Sequence, residues 1–81
     1  MKYDTATLVA VWQKGQIVHG YDPNKYRTDR YGSWIAWTEY GQTSNYGWEV
    51  DHVVPVSRGG SNALSNLQPL YWQNNRSKSD R

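Results

Sequence analysis

An 81-residue chain is one small domain, and folding at that size hides only about 60% of the unfolded surface, so its core needs reinforcement. It has no cysteine, which excludes disulfides and thiolate zinc sites, and it carries nine Lys and Arg against seven Asp and Glu, a balance too even to imply a polyanionic partner by itself. Five Trp and seven Tyr without a Phe predict a core built from aromatic rings, each able to bury about 150–250 Å².

In chain order, Asp4 is placed to cap a short helix with Leu8, Val11 and Trp12 on one face and Gly15 as its stop. The β-branched Val9 and Val11 leave a strand as the alternative there. No run is apolar for long enough to span a membrane, and no charged start precedes an apolar centre as in a signal peptide. The chain is therefore expected to work in the cytoplasm. Gly20 to Arg30 reads as an irregular connection turning at Asp22-Pro23. Ser33–Tyr40 is aromatic and β-branched and reads as a strand. The polar turn Gln42–Asn45 would join it in a hairpin to Tyr46–Val50. Trp48–Val54 reads as a second strand stopped by Pro55, followed by a long loop, Val56–Asn66, that bends at Gly59-Gly60. Asn66-Leu-Gln-Pro-Leu70 is expected to lead into a helix with Pro69 near its first turn, running to about Ser77 before a charged tail.

Basic residues collect on two segments. Lys25, Arg27 and Arg30 surround one Asp, and Arg58, Arg76, Lys78 and Arg81 face Asp80 alone after residue 57. Such clusters can neutralise phosphates, although each cation taken singly is ordinary solvated surface charge. His19, beside Gly20 in a polar segment, reads as an ordinary surface histidine.

Asp51 and His52 are adjacent. A carboxylate is a ligand for a hard divalent cation, and an imidazole, which titrates near neutral pH, can take a proton from water. In a regular strand the two would face opposite sides, so one site can use both only where the strand ends, twists or bulges. Asn66 suits a loop-holding role through its amide. Asn75 and Asn74 are poor helix formers in a predicted helix, and a metal on the Asn75 amide oxygen would explain one of them. A solvated surface helix is the plain alternative. Arg58, Arg76 and Lys78 are the candidate phosphate contacts.

Asp-His-Val-Val-Pro from residue 51, Gly59-Gly60, Asn66-Leu-Gln-Pro-Leu and Asn75-x-x-Lys78 occur in this order at spacings that resemble the HNH nuclease family. The likeness spans roughly residues 47–80. It implies an α+β domain with a ββα-metal core, made of an antiparallel hairpin and a C-terminal helix over residues 47–81. Residues 1–46 would pack alongside as a further strand and helix. It also implies that Asp51 and Asn75 hold one divalent ion, that His52 is the general base and that Asn66 supports the loop. The implied activity is metal-dependent hydrolysis of DNA, nicking one strand with little sequence specificity. With only oxygen ligands, Mg²⁺ or Mn²⁺ is favoured over Zn²⁺. A monomer is expected rather than a dimer. A non-catalytic nucleic-acid-binding module that keeps the nuclease shape is the alternative. The family's frequent zinc-binding Cys pairs are missing, and Tyr71 and Asn74 stand where one pair would fall.

Overall fold

A computed structural model describes residues 3–79. Helix α1 (Thr5–Trp12) starts where Asp4 accepts a hydrogen bond from the Thr7 amide at 2.8 Å. It buries Val11 and Trp12. A helical turn at Asp22–Tyr26 then leads into an antiparallel pair, β1 (Tyr26–Thr28) with β2 (Trp34–Ala36). A second antiparallel pair follows, β3 (Trp48–His52) with β4 (Leu67–Tyr71), and helix α2 (Trp72–Ser79) closes the described chain. The hairpin β3–β4 with α2 packed on it is the ββα arrangement, so the domain is α+β as expected. The charged tail expected after this helix lies outside the described residues.

Three sequence expectations are corrected. Gly20–Arg30 is not wholly irregular, because it contains β1. Ser33–Tyr40 is a strand only to Ala36, after which Trp37–Glu39 forms a 3-10 turn, and it pairs with β1 instead of with Tyr46–Val50. What joins it to that segment is one Ala36 amide bond to the Tyr46 carbonyl and a single Tyr40–Trp48 bridge. Finally, Leu67–Leu70 belongs to a strand and α2 begins only at Trp72. Pro69 is tolerated opposite Val50 because each strand of a two-stranded sheet has one edge where no amide is needed.

The core joins both halves of the chain. Val11 and Trp12 of α1, Ile35 of β2, Trp48 of β3 and Leu67 of β4 form one buried cluster. Trp48 is fully buried at its centre. Its ring lies 5.2 Å from Trp12, 5.9 Å from Trp37 and 5.0 Å from Tyr40. The indole N–H groups still find acceptors, Trp12 on the Pro23 carbonyl and Trp72 on that of Ser44. Burial pushes the Tyr40 phenol above its usual range, so it packs as a neutral group.

Polar clamps hold the halves together. Arg27, one of the clustered cations, is buried and ties up the N-terminal half itself, donating to the carbonyls of Gln13, Gly15 and Pro23. Lys14, just past α1, donates to the carbonyls of Leu64 and Leu67, on either side of Asn66. Asp29, only 1% exposed, accepts from the amides of Tyr31, Ser33 and Tyr71 and from the Asn74 side chain, at 2.8–3.0 Å. Tyr71 and Asn74 are the positions where the family resemblance would put a zinc-binding pair. Here a carboxylate from the other half of the chain ties them together.

Candidate active site

The alternation of β3 sends Trp48 into the core and turns Glu49 and Asp51 toward α2. On α2, Asn75 and Lys78 are three residues apart and share a face. They meet those two carboxylates. Asn75 Nδ2 donates to Glu49 Oε1 at 2.7 Å, and Lys78 Nζ lies 3.2–3.3 Å from the Asp51 oxygens. Asp51 is 8% exposed and also accepts from Gln68 Nε2, its cross-strand partner, at 2.9 Å. Committing Asn75 Nδ2 to Glu49 leaves its Oδ1 without a hydrogen bond among the described residues. Asn74, one residue away, faces Asp29 and Ser33. Neither amide is therefore simply solvated, and both poor helix formers are placed by partners elsewhere in the fold.

His52 is the last residue of β3 and pairs with Leu67. Its Nε2 lies 2.8 Å from Asn62 Oδ1. Its backbone carbonyl accepts from Lys78 at 2.8 Å, so one ammonium spans Asp51 and His52. The loop beyond is pinned by Asn66. Its Oδ1 accepts from the Val54 amide, and its Nδ2 donates to the carbonyls of Val54 and Ser61. Those bonds stitch the loop shut on both sides of the Asn62 that meets His52.

The two glycines have separate reasons. Gly59 closes a 3-10 turn at φ 88°, a left-handed conformation. At Gly60 a Cβ would lie 1.7 Å from the Val54 carbonyl oxygen, the atom that Asn66 also contacts.

The structure thus brings the Asp51 carboxylate and the His52 backbone carbonyl onto Lys78, while the His52 ring meets Asn62 and Asn75 meets Glu49. Arg76 lies 3.7 Å from Glu49 and over the Trp72 ring at 5.2 Å. Arg58 is exposed in the loop, on the turn before Gly59. His19 is exposed, as expected. Sequence reasoning assigned no role to Glu49, Asn62 or Gln68. Asn62 was discoverable only as a second amide in the Gly-Gly loop, since nothing local ties it to a histidine ten residues earlier. Among the described residues no three His, Cys, Asp or Glu side chains gather where they could hold an ion.

A hairpin and helix that present a carboxylate, an imidazole and amides across one loop define a nuclease-type ββα domain. A sequence model described as HNH endonuclease matches residues 38–81, more than half of the chain, and the chain belongs to that family. No curated protein and no solved structure matches it significantly. Membership makes this a domain of nuclease or nucleic-acid-binding function, in a family whose enzymes typically use a divalent metal. No helix among the described residues is long and apolar enough to cross a membrane.

Proposed function

We propose that the domain is a metal-dependent endonuclease that hydrolyses DNA phosphodiester bonds, nicking one strand with little sequence preference. The observation that carries this reading is a held imidazole, His52 on Asn62, in the residue that follows a buried carboxylate, Asp51. With Asn62 Oδ1 as acceptor, His52 Nε2 carries the ring proton. Its Nδ1 lone pair is then left to take a proton from water attacking phosphorus. The P–O3′ bond breaks, giving 5′-phosphate and 3′-hydroxyl ends. Asn66 acts by holding the loop that fixes the ring.

The donor set fits a hard divalent ion. Asp51 supplies a carboxylate and Asn75 an uncommitted amide oxygen, while no thiolate or second imidazole stands by to favour Zn²⁺. Mg²⁺ or Mn²⁺ bound there would stabilise charge on a phosphate oxygen and on the leaving oxygen. Lys78 must then release Asp51, which frees its ammonium to meet phosphate while the His52 carbonyl keeps it near. Arg76 and exposed Arg58 extend the cationic surface along the backbone. One such site cuts one strand per encounter, so nicking by a monomer is expected. Phosphate contacts dominate its affinity, which should fall steeply with salt.

A second reading has one observation in its favour. Asp51 already has a cation in Lys78, so a module that binds nucleic acid without cutting would keep this face stable with no metal. Supercoiled plasmid incubated with Mn²⁺, Mg²⁺, Zn²⁺ or EDTA, with His52→Ala in parallel, separates the two. The endonuclease converts plasmid to open circles only with Mn²⁺ or Mg²⁺. His52→Ala should lose about 10²–10⁴-fold in rate, as a missing general base does, while binding as before. Binding without cleavage under every metal identifies the non-catalytic module, and cleavage by His52→Ala at the parent rate removes the base assignment.

A further inference from the structure

The chain has more aromatic surface than its core uses. Apart from the rings around Trp48, a second group gathers at the β1–β2 hairpin. Tyr21 lies 4.8 Å from Trp34, and Tyr26 lies 6.1 Å from Trp34 and 6.2 Å from Tyr46. Tyr21 is 53% exposed and Tyr46 42%. With Asn45 and Tyr71 these rings line an open groove of about 650 Å³. Tyr21 meets Trp34 at 85° and Tyr26 meets Tyr46 at 81°, edge to face, so neither pair covers its faces as stacked rings would.

The groove is linked to the candidate active site by a chain of contacts. Ser33 lines it, and the Ser33 hydroxyl accepts from Asn74 of α2. Asn74 in turn lines a smaller hollow with Tyr31, Ser77 and Lys78, and Lys78 is the cation on Asp51 and the His52 carbonyl. The Arg30 guanidinium lies over Tyr31 at 5.5 Å. Flat apolar rings thus give way to amides and cations along contacts that end at Lys78, the cation on Asp51.

We infer that this groove holds unpaired nucleobases of the same nucleic acid whose backbone lies on the Asp51–His52 face, which makes a substrate with a single-stranded stretch the preferred one. The inference rests on the nuclease reading for what lies at the far end of the path. Bases of any identity present a π face, so stacking on Tyr and Trp gives affinity without sequence choice, and neighbouring cations follow the phosphates. A duplex keeps its bases covered and has nothing to offer the rings. A proline-rich peptide would use the rings but not the track of amides and cations leading to Asp51.

The test measures binding in a His52→Ala background, where cleavage does not interfere. Fluorescence anisotropy would compare oligothymidylate, a blunt duplex and a duplex with an unpaired tail, all at one salt concentration. Replacing Tyr21 and Tyr46 together by Leu, which keeps apolar bulk but removes the rings, should weaken binding of oligothymidylate and of the tailed duplex by about tenfold or more. The blunt duplex should bind unchanged, and the pair Tyr21→Phe and Tyr46→Phe should restore parent affinity. Should the Leu pair fail to fold, amide NMR of the parent chain decides instead. Oligothymidylate must then shift the signals of Ser33, Trp34 and Asn45. Parent affinity in the Leu pair, equal losses for blunt duplex, or unshifted signals at saturation each overturn the groove assignment. A parent chain that binds blunt duplex while its rings are irrelevant loses the groove alone; one that binds no nucleic acid loses the nuclease reading with it.

Discussion

Asp29 and Asp51 are both buried carboxylates, yet the regions around them are built on different terms. Asp29 is met by three backbone amides, donors that cannot leave without unfolding the turn or the end of β4, and by one side-chain amide besides. Asp51 is met by the ends of two long side chains, Gln68 and Lys78, either of which can rotate away. A carboxylate held by fixed donors is a structural clasp. One held by retractable donors can change partner, which a metal ligand must do. Burial alone does not separate a clasp from the metal ligand proposed at Asp51; the mobility of the partners does.

The comparison is sharpest if each aspartate becomes asparagine. Asp51→Asn removes the charge for a metal, and nicking should fall on the order of 10³-fold in the plasmid assay. Stability should change by no more than about 1 kcal/mol, because an amide oxygen still accepts from Gln68 and Lys78. Trp48→Ala gives the scale for breaking the interior. It should cost about 3–5 kcal/mol in urea unfolding, most of what a domain this small has. Unchanged stability would mean that the rings around Trp48 do not hold the core. Asp29→Asn comes next. It points an NH₂ group into converging donors and should cost about 2–4 kcal/mol, lowering Tm by roughly 10–25 °C, with activity per folded molecule preserved. Lost activity in a folded Asp29→Asn protein would break the division between clasp and site.

The smallest effect is expected at Asp4, an exposed carboxylate with a single partner. Hydrogen bonds from Thr7 hold its carboxyl below the usual carboxylate range. A carboxyl lowered on folding adds stability above its unfolded value and loses it as pH falls through the folded one. The Tm difference between the parent and Asp4→Ala should therefore be present at neutral pH and vanish in acid. A difference that persists in acid would assign the effect to something other than the cap.

Local patterns made the first helix legible, because a cap and an apolar face lie within eight residues. The ordered motif made the hairpin, the helix and the loop-holding amide of Asn66 legible as well. Local patterns misled where two outcomes share one composition. Pro69 suits the first turn of a helix and equally the free edge of a strand, and only pairing with Val50 decides. The aromatic, β-branched Ser33–Tyr40 can extend as one strand, but Trp37 turns off to pack on Trp12 and Trp48. Asn74 had no visible reason because its reason, Asp29, lies 45 residues earlier. Arg27 looked like surface charge because the carbonyls that bury it are spread from Gln13 to Pro23.

The bonds of Lys14 to the carbonyls flanking Asn66, and of Asp29 to Tyr71 and Asn74, bear on when the site forms. They span between 42 and 53 residues of sequence. Contacts of such separation close late in folding, after local helices and turns. A chain emerging from the ribosome therefore presents His52 long before the loop and helix that aim it are in place. On the nuclease reading, competence to cut would come only once α2 has docked on the hairpin.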